Sequence, residues 1–235
     1  MAVTPDVFFK FPRTPHLWWP LDRPPNDDRV IAPPDARDFL SGDIAIEEKV
    51  DGANIGLSVD EGGSIRVQNR GSWIERGAHP QFQPLWSWIS QRHQHLTNVL
   101  QSERILFGEW CFAIHSVRYD RLPDWFLGFD VYDRAAERFW SSPRRDALFA
   151  KAGVHTVPRL YAGRFRLSDL KGILRSEPSR LGTGPMEGIY IRREGSEWLD
   201  ARAKLVRPEF LDNIGSHWSS RELEPNELMA STLRK

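Results

Sequence analysis

From Ile44 to Gln68 the chain runs in short alternations of apolar and polar residues, broken at Asp51-Gly52 and at Glu61-Gly62-Gly63. That pattern commits it to paired β-strands. Ile55, Leu57 and Val59 share one face, and Ile65 and Val67 return antiparallel after the second turn. The first run, Ile44-Ala45-Ile46-Glu47-Glu48, ends on Lys49, and Asp51-Gly52 turns the chain straight into Ala53-Asn54-Ile55-Gly56. An amine held at a strand end, inside a pocket, can act as a nucleophile if burial or nearby positive charge lowers its pKa. Taken by itself, Lys49-Val50-Asp51-Gly52 more often describes a surface lysine beside a turn.

Beyond this region, Phe82, Leu85, Ile89, Leu96 and Val99 recur at helical spacing and predict an amphipathic helix over 81–101. Strands are expected at 104–110, 125–132, 157–161, 187–193 and 198–206, the last halted by Pro208. Ser142 reads as an N-cap with Pro143 at the first helical position, Gly153 as the stop of that helix, and Ser168 as the opening of another. Residues 1–40 are proline-rich (Phe11-Pro12-Arg13-Thr14-Pro15-His16-Leu17-Trp18-Trp19-Pro20, then Arg23-Pro24-Pro25) and predict an extended arm packed on a surface. Residues 209–235 read as a short helix or tail with a frayed end. The fold class is therefore α+β, one domain with largely antiparallel sheets.

Acidic and basic residues balance at 32 each, so no global positive field advertises nucleic acid, though a local basic groove is compatible with that balance. One cysteine, Cys111, rules out an intramolecular disulfide and suits a reducing compartment. No apolar run is long enough to span a membrane and residues 1–10 lack a signal-peptide pattern, so the expectation is a cytoplasmic protein without a membrane partner. His93 and His95 lie on the predicted helix without a second ligand set, and no zinc spacing occurs.

A nucleotide-transfer site needs a nucleophile, cations for phosphate, carboxylates for metal and sugar, and an aromatic shelf for a base. Candidates follow in order: Lys49; Arg70 in Gln68-Asn69-Arg70-Gly71; Glu109 in Phe107-Gly108-Glu109; Phe129-Asp130; Glu187-Gly188-Ile189-Tyr190; and Arg202-Ala203-Lys204. Arg202 and Lys204 share one strand face, where two cations can clamp a phosphate and depress a neighbouring lysine.

In this order the motifs resemble those of the covalent nucleotidyltransferases, specifically ATP-dependent RNA ligases of the RNA ligase 2 type, over residues 44–207. Asn54 is similar to the asparagine that separates the RNA ligase branch from typical DNA ligases, and Pro12-Arg13-Thr14-Pro15-His16-Leu17 resembles the amino-terminal segment of stand-alone relatives. The resemblance implies an adenylyltransferase fold, two antiparallel sheets flanked by helices with ATP in the groove between them. It implies a lysyl-AMP on Lys49, transfer of AMP to an RNA 5′-phosphate, and attack by a 3′-hydroxyl, with Mg²⁺ or Mn²⁺ as cofactor. By the same resemblance Glu109 binds ribose, Phe129 stacks on adenine, Glu187 and Glu109 hold metal, Arg202 and Lys204 contact the α-phosphate, and Glu48, Asn54, Arg70 and Tyr190 line the nucleotide. Arg13, His16, His115 and Arg118 are the candidate RNA contacts.

Two departures stand out. The first cation of the last motif is Arg202, where the family usually has lysine, and a planar guanidinium imposes its own geometry. The chain also ends 28 residues after Arg207 (235 − 207), whereas nick-sealing relatives usually continue into an OB-fold or helical domain. The arm or a partner protein is then expected to grip the RNA. A DNA ligase, an mRNA guanylyltransferase and a non-catalytic nucleic-acid-binding relative are the alternatives. Ordinary core packing is a second reading of Phe129, hairpin capping of Glu187, a solvated strand face of Arg202 and Lys204, and a plain surface loop of His115 to Arg121.

Overall fold

The computed structural model describes residues 7–22, 29–211 and 223–230. β1 (Ile44–Lys49), β8 (Arg159–Gly163), β9 (Gly188–Glu194) and β10 (Leu199–Val206) form an antiparallel sheet in the order β10-β9-β1-β8. β2 (Ala53–Val59), β3 (Ile65–Gln68), β4 (Arg104–Trp110), β5 (Phe126–Asp133) and β6 (Arg138–Phe139) form the second, in the order β3-β2-β4-β5-β6. β7 (His155–Thr156) pairs with β5 in parallel, the exception to the antiparallel expectation.

The two runs that flank Lys49 do not pair with each other. β1 pairs with β8 and β9, whereas β2 pairs with β3 and β4, so the three residues Val50, Asp51 and Gly52 carry the chain from one sheet to the other. Gly52 is required there: a Cβ would lie 2.7 Å from the Trp110 carbonyl oxygen.

α2 (Gln83–Leu100), entered through a 3-10 turn at Pro80–Phe82, buries Leu85, Trp88, Ile89, Leu96 and Leu100. These side chains pack with those of α3 (Ser142–Ala152) in the core of the six-stranded sheet. Ser141, not Ser142, is the N-cap of α3, because the Ser142 hydroxyl is taken by Glu194; Gly153, at φ 65°, ends the helix as expected. α4 (Leu167–Ser176) and α1 (Pro33–Phe39) cover the four-stranded sheet with Leu170, Leu174, Ala36 and Phe39.

α1 lies inside the stretch expected to be extended. Pro33 and Pro34 occupy its first turn, where a missing N–H breaks no helical bond, so prolines that read as breakers begin a helix. Elsewhere in 1–40, residues 15–17 run alongside β10. Leu17 N–H donates to the Lys204 carbonyl and Lys204 N–H to the Pro15 carbonyl, both at 2.9 Å, so the arm extends the four-stranded sheet beyond β10. After β10 comes a four-residue α5 (Pro208–Leu211). Arg23-Pro24-Pro25, most of 209–222 and the end expected to fray lie outside the described residues. Among the described residues no helix is long and apolar enough to cross a membrane.

Candidate active site

Because the chain changes sheet directly after Lys49, the groove between the sheets opens on that residue. One wall carries Glu47, Glu48 and Lys49 of β1, Tyr190 of β9 and Lys204 of β10. The other carries Asn54 of β2, Glu109 of β4 and Phe129 of β5, with Arg70 following β3; Val50, Val157 and the arm residues Phe11 and Thr14 complete the lining. The space between the walls, counted out into open solvent, is ≈ 570 Å³.

Lys49 Nζ donates to Glu187 Oε2 at 2.5 Å. Burial by itself would lower the amine's pKa, but Glu187, Asp51 and Glu109 outweigh it and hold Lys49 above the usual lysine value. The expectation of a depressed amine is therefore reversed, because three carboxylates face it. Two of them, Glu187 and Glu109, are perturbed in turn. Burial pushes Glu187 up to about 7, opposed by Lys49, and pushes Glu109 up to about 8, opposed by Lys49 and reinforced by Asp51 and Glu187. Glu109 Oε2 and Asn54 Oδ1 belong to cross-strand partners, and both are buried without a hydrogen-bond partner among the described residues.

Behind the groove, charged groups join the sheets. Arg145 of α3, fully buried, donates to both Glu47 oxygens at 2.6 and 3.2 Å and to the Phe129 carbonyl at 2.6 Å. Arg192 of β9 donates to Asp130 Oδ1 at 2.6 Å and to the same Phe129 carbonyl at 3.3 Å. Two guanidinium groups, one from α3 and one from β9, thus fix the backbone of the aromatic shelf, while Phe11 of the arm backs its ring at 5.4 Å and 75°.

A family model described as RNA ligase matches residues 42–206. The chain belongs to the RNA ligase family. Among curated proteins none matches it. Solved structures of the Naegleria gruberi RNA ligase share its fold: an apo mutant at TM-score 0.60 and 18% identity, covering 77% of this chain and 54% of that one. The same ligase with PPi gives 0.58 at 20% identity, covering 77% and 54%, and a mutant with ATP and Mn gives 0.57 at 17%, covering 78% and 55%. The chain thus spans about half the length of that ligase.

Within this RNA ligase fold, Lys49, Glu48, Asn54, Arg70, Glu109, Phe129, Tyr190 and Lys204 all line the groove, and Glu187 reaches it through Lys49. Glu48 is engaged by the Ser179 hydroxyl at 2.5 Å and the Arg180 N–H at 2.8 Å. Arg202 does not join the lining. It donates to Asp130 Oδ2 at 2.7 Å and its guanidinium lies 3.9 Å from the Phe139 ring centroid, so its charge is engaged by Asp130, which Arg192 also holds.

Of the candidate RNA contacts, Arg13 is exposed. His16 is 2% exposed, its ring edge-on to Trp19 at 4.7 Å, so burial removes it from any surface that RNA could touch. His115 is half-buried against Gln81 Oε1 at 3.2 Å, and burial lowers its pKa. Arg118 pairs with Glu224 at 3.0 Å and Glu227 at 3.5 Å. Sequence reasoning missed Thr14, whose signal was the arm's resemblance to relatives, Phe11 just before that segment, and Glu47, Arg145 and Asp51, whose roles depend on distant partners.

Proposed function

We propose that the chain is an ATP-dependent RNA ligase that carries AMP on Lys49. The observation that supports this most is the pairing of Lys49 with Glu187 at the sheet-to-sheet turn, in a groove that also holds Lys204, Glu109, Asn54 and Phe129. In this reading residues 1–40 are an arm on a nucleotidyltransferase unit over 41–208, and 209–235 are a tail.

Lys49 Nζ attacks the α-phosphorus of ATP; an N–P bond forms, the bond to the bridging oxygen breaks, and pyrophosphate leaves. The amine must first lose a proton, and Glu187, raised to about 7, is the base in contact with it. Lys204 faces the α-phosphate, Phe129 presents its ring to the adenine, and Glu109 and Asn54 offer their unpaired oxygens to ribose hydroxyls. AMP then passes to an RNA 5′-phosphate, and an RNA 3′-hydroxyl displaces it. Arg202 acts at one remove, holding Asp130 beside the shelf.

Among the described residues no three His, Cys, Asp or Glu gather for a metal ion. The unpaired Glu109 oxygen and the raised Glu187 fit a Mg²⁺ or Mn²⁺ ion that takes its remaining ligands from substrate phosphates. Such an ion would neutralise polyphosphate charge.

The test is incubation with α-labelled ATP or GTP and Mg²⁺ or Mn²⁺, followed by acid quench and intact mass. Label from ATP that disappears in a folded Lys49→Ala variant is expected, with subsequent sealing of RNA nicks. Absence of label from a protein whose intact mass shows no preloaded AMP refutes the proposal, and label from GTP alone redirects it to capping.

A further inference from the structure

The loop between β4 and β5 borders the nucleophile's turn and holds it. Asp51 Oδ2 accepts from the backbone N–H groups of Ser116 at 2.6 Å and Val117 at 2.9 Å. Asp51 N–H donates to the Tyr119 hydroxyl oxygen at 2.8 Å. Two residues after Lys49, the chain is thus fixed by three bonds to that loop.

The loop is held in turn by residues 223–230, which lie beyond the segment matched by the family. Asn226 is 3% exposed, and its Nδ2 donates to the carbonyls of Cys111 at 2.9 Å and Ala113 at 3.2 Å. Its Oδ1 accepts the Tyr119 N–H at 2.7 Å. Backbone bonds continue the clasp: Ile114 N–H to Glu224 at 2.8 Å, Asn226 N–H to Phe112 at 2.8 Å, Glu227 N–H to Tyr119 at 2.9 Å and Met229 N–H to Leu122 at 2.9 Å. Leu228 packs on the cluster that contains Val50, Tyr119 and Leu122.

We propose that residues 223–230 form a strap whose Asn226 positions the Lys49 turn for self-adenylylation, acting through Tyr119 and Asp51. Asn226 is a positioning residue, since it does not line the groove. In-line attack tolerates little displacement, and a shift of about 1 Å in the attacking group costs on the order of a hundredfold in rate. A side chain that bonds the loop on either side of Ser116 and Val117, which face Asp51, therefore acts on the first chemical step.

The assignment rests on the activity proposed above, and the experiment separates the two. Full-chain wild type, Asn226→Ala and Tyr119→Phe are compared in single-turnover lysyl-AMP formation over a range of ATP, and in joining a pre-adenylylated RNA end, which bypasses attack by Lys49. The maximal rate of lysyl-AMP formation is expected to fall about tenfold or more in Asn226→Ala and several-fold in Tyr119→Phe, with half-saturating ATP and pre-adenylylated joining within about threefold of wild type. Tyr119→Phe keeps the buried ring and removes the hydroxyl that accepts from Asp51, so it decides the matter if Asn226→Ala does not fold. Equal losses in both reactions, or a Tyr119→Phe rate like wild type, overturn the strap. A wild type that takes no label overturns the activity instead.

Discussion

Replacing Glu109 by glutamine is expected to stabilise the ligand-free protein, increasingly so as pH rises. Burial, with Asp51 and Glu187 beside it, moves this carboxyl from its ordinary 4.5 to about 8. Between those values the folded chain keeps a proton that the unfolded chain has released, so wild-type stability declines as pH rises through the window. The difference is 8 − 4.5 = 3.5 pH units, which at roughly 1.4 kcal/mol each is about 5 kcal/mol once both states are ionised. Water at the open mouth screens the charge, and about half of that, on the order of 2 kcal/mol, is the expected gain.

Glutamine has no proton to lose, and its amide can donate to Asn54 Oδ1, the buried acceptor on the paired strand. Urea unfolding of both proteins in EDTA at about pH 4.5 and pH 9 reads the effect directly. The midpoints should nearly coincide at the lower pH and separate at the higher one, with the variant more stable. A variant less stable than wild type at high pH, or a difference independent of pH, would refute the view that the groove confines a carboxylate charge at the expense of the fold.

Two further outcomes follow from the packing. Glu47→Gln removes the buried one of the two carboxylates that pair with the Arg145 guanidinium, leaving it Asp146 at 2.8 Å, and should cost about 1.5–3 kcal/mol in chemical denaturation; a loss under about 1 kcal/mol would show that the pair is dispensable. Gly52→Ala must move the turn off the Trp110 carbonyl and should cost about 1–3 kcal/mol, together with most of the lysyl-AMP signal. An unchanged melting temperature would contradict that contact.

The elements carried by local pattern were legible in the sequence. The helical stripe near 81–101 and the strand at 104–110 recur in α2 and β4, because apolar spacing reports directly on a buried face. The groove's main residues were legible as an ordered set of strand-end groups. Partner choice was not. An Asp-Gly between two alternating runs looks like a hairpin, and nothing within 44–68 says that β1 will instead choose strands more than a hundred residues away. Alternation placed Arg202 beside Lys204 on one face, but it is silent on Asp130, which captures the guanidinium. Glu47 and Glu48 resemble adjoining surface charges until Arg145, Ser179 and Arg180 arrive from distant segments. Asn226, alone in a polar stretch, carries no local signal of its three bonds.

The change of sheet at Val50 to Gly52 makes the groove a seam between two layers, not a hollow within one. A nucleotide seated there would press on Lys49 and Lys204 from one layer and on Asn54, Glu109 and Phe129 from the other. It would serve as mortar as well as substrate, since ligand that binds the closed pair of sheets and not their separated state adds RT ln(1 + [L]/Kd) to the cohesion between them. Release of the nucleotide would then loosen the very layers that hold the nucleophile, tying turnover to the grip of one sheet on the other.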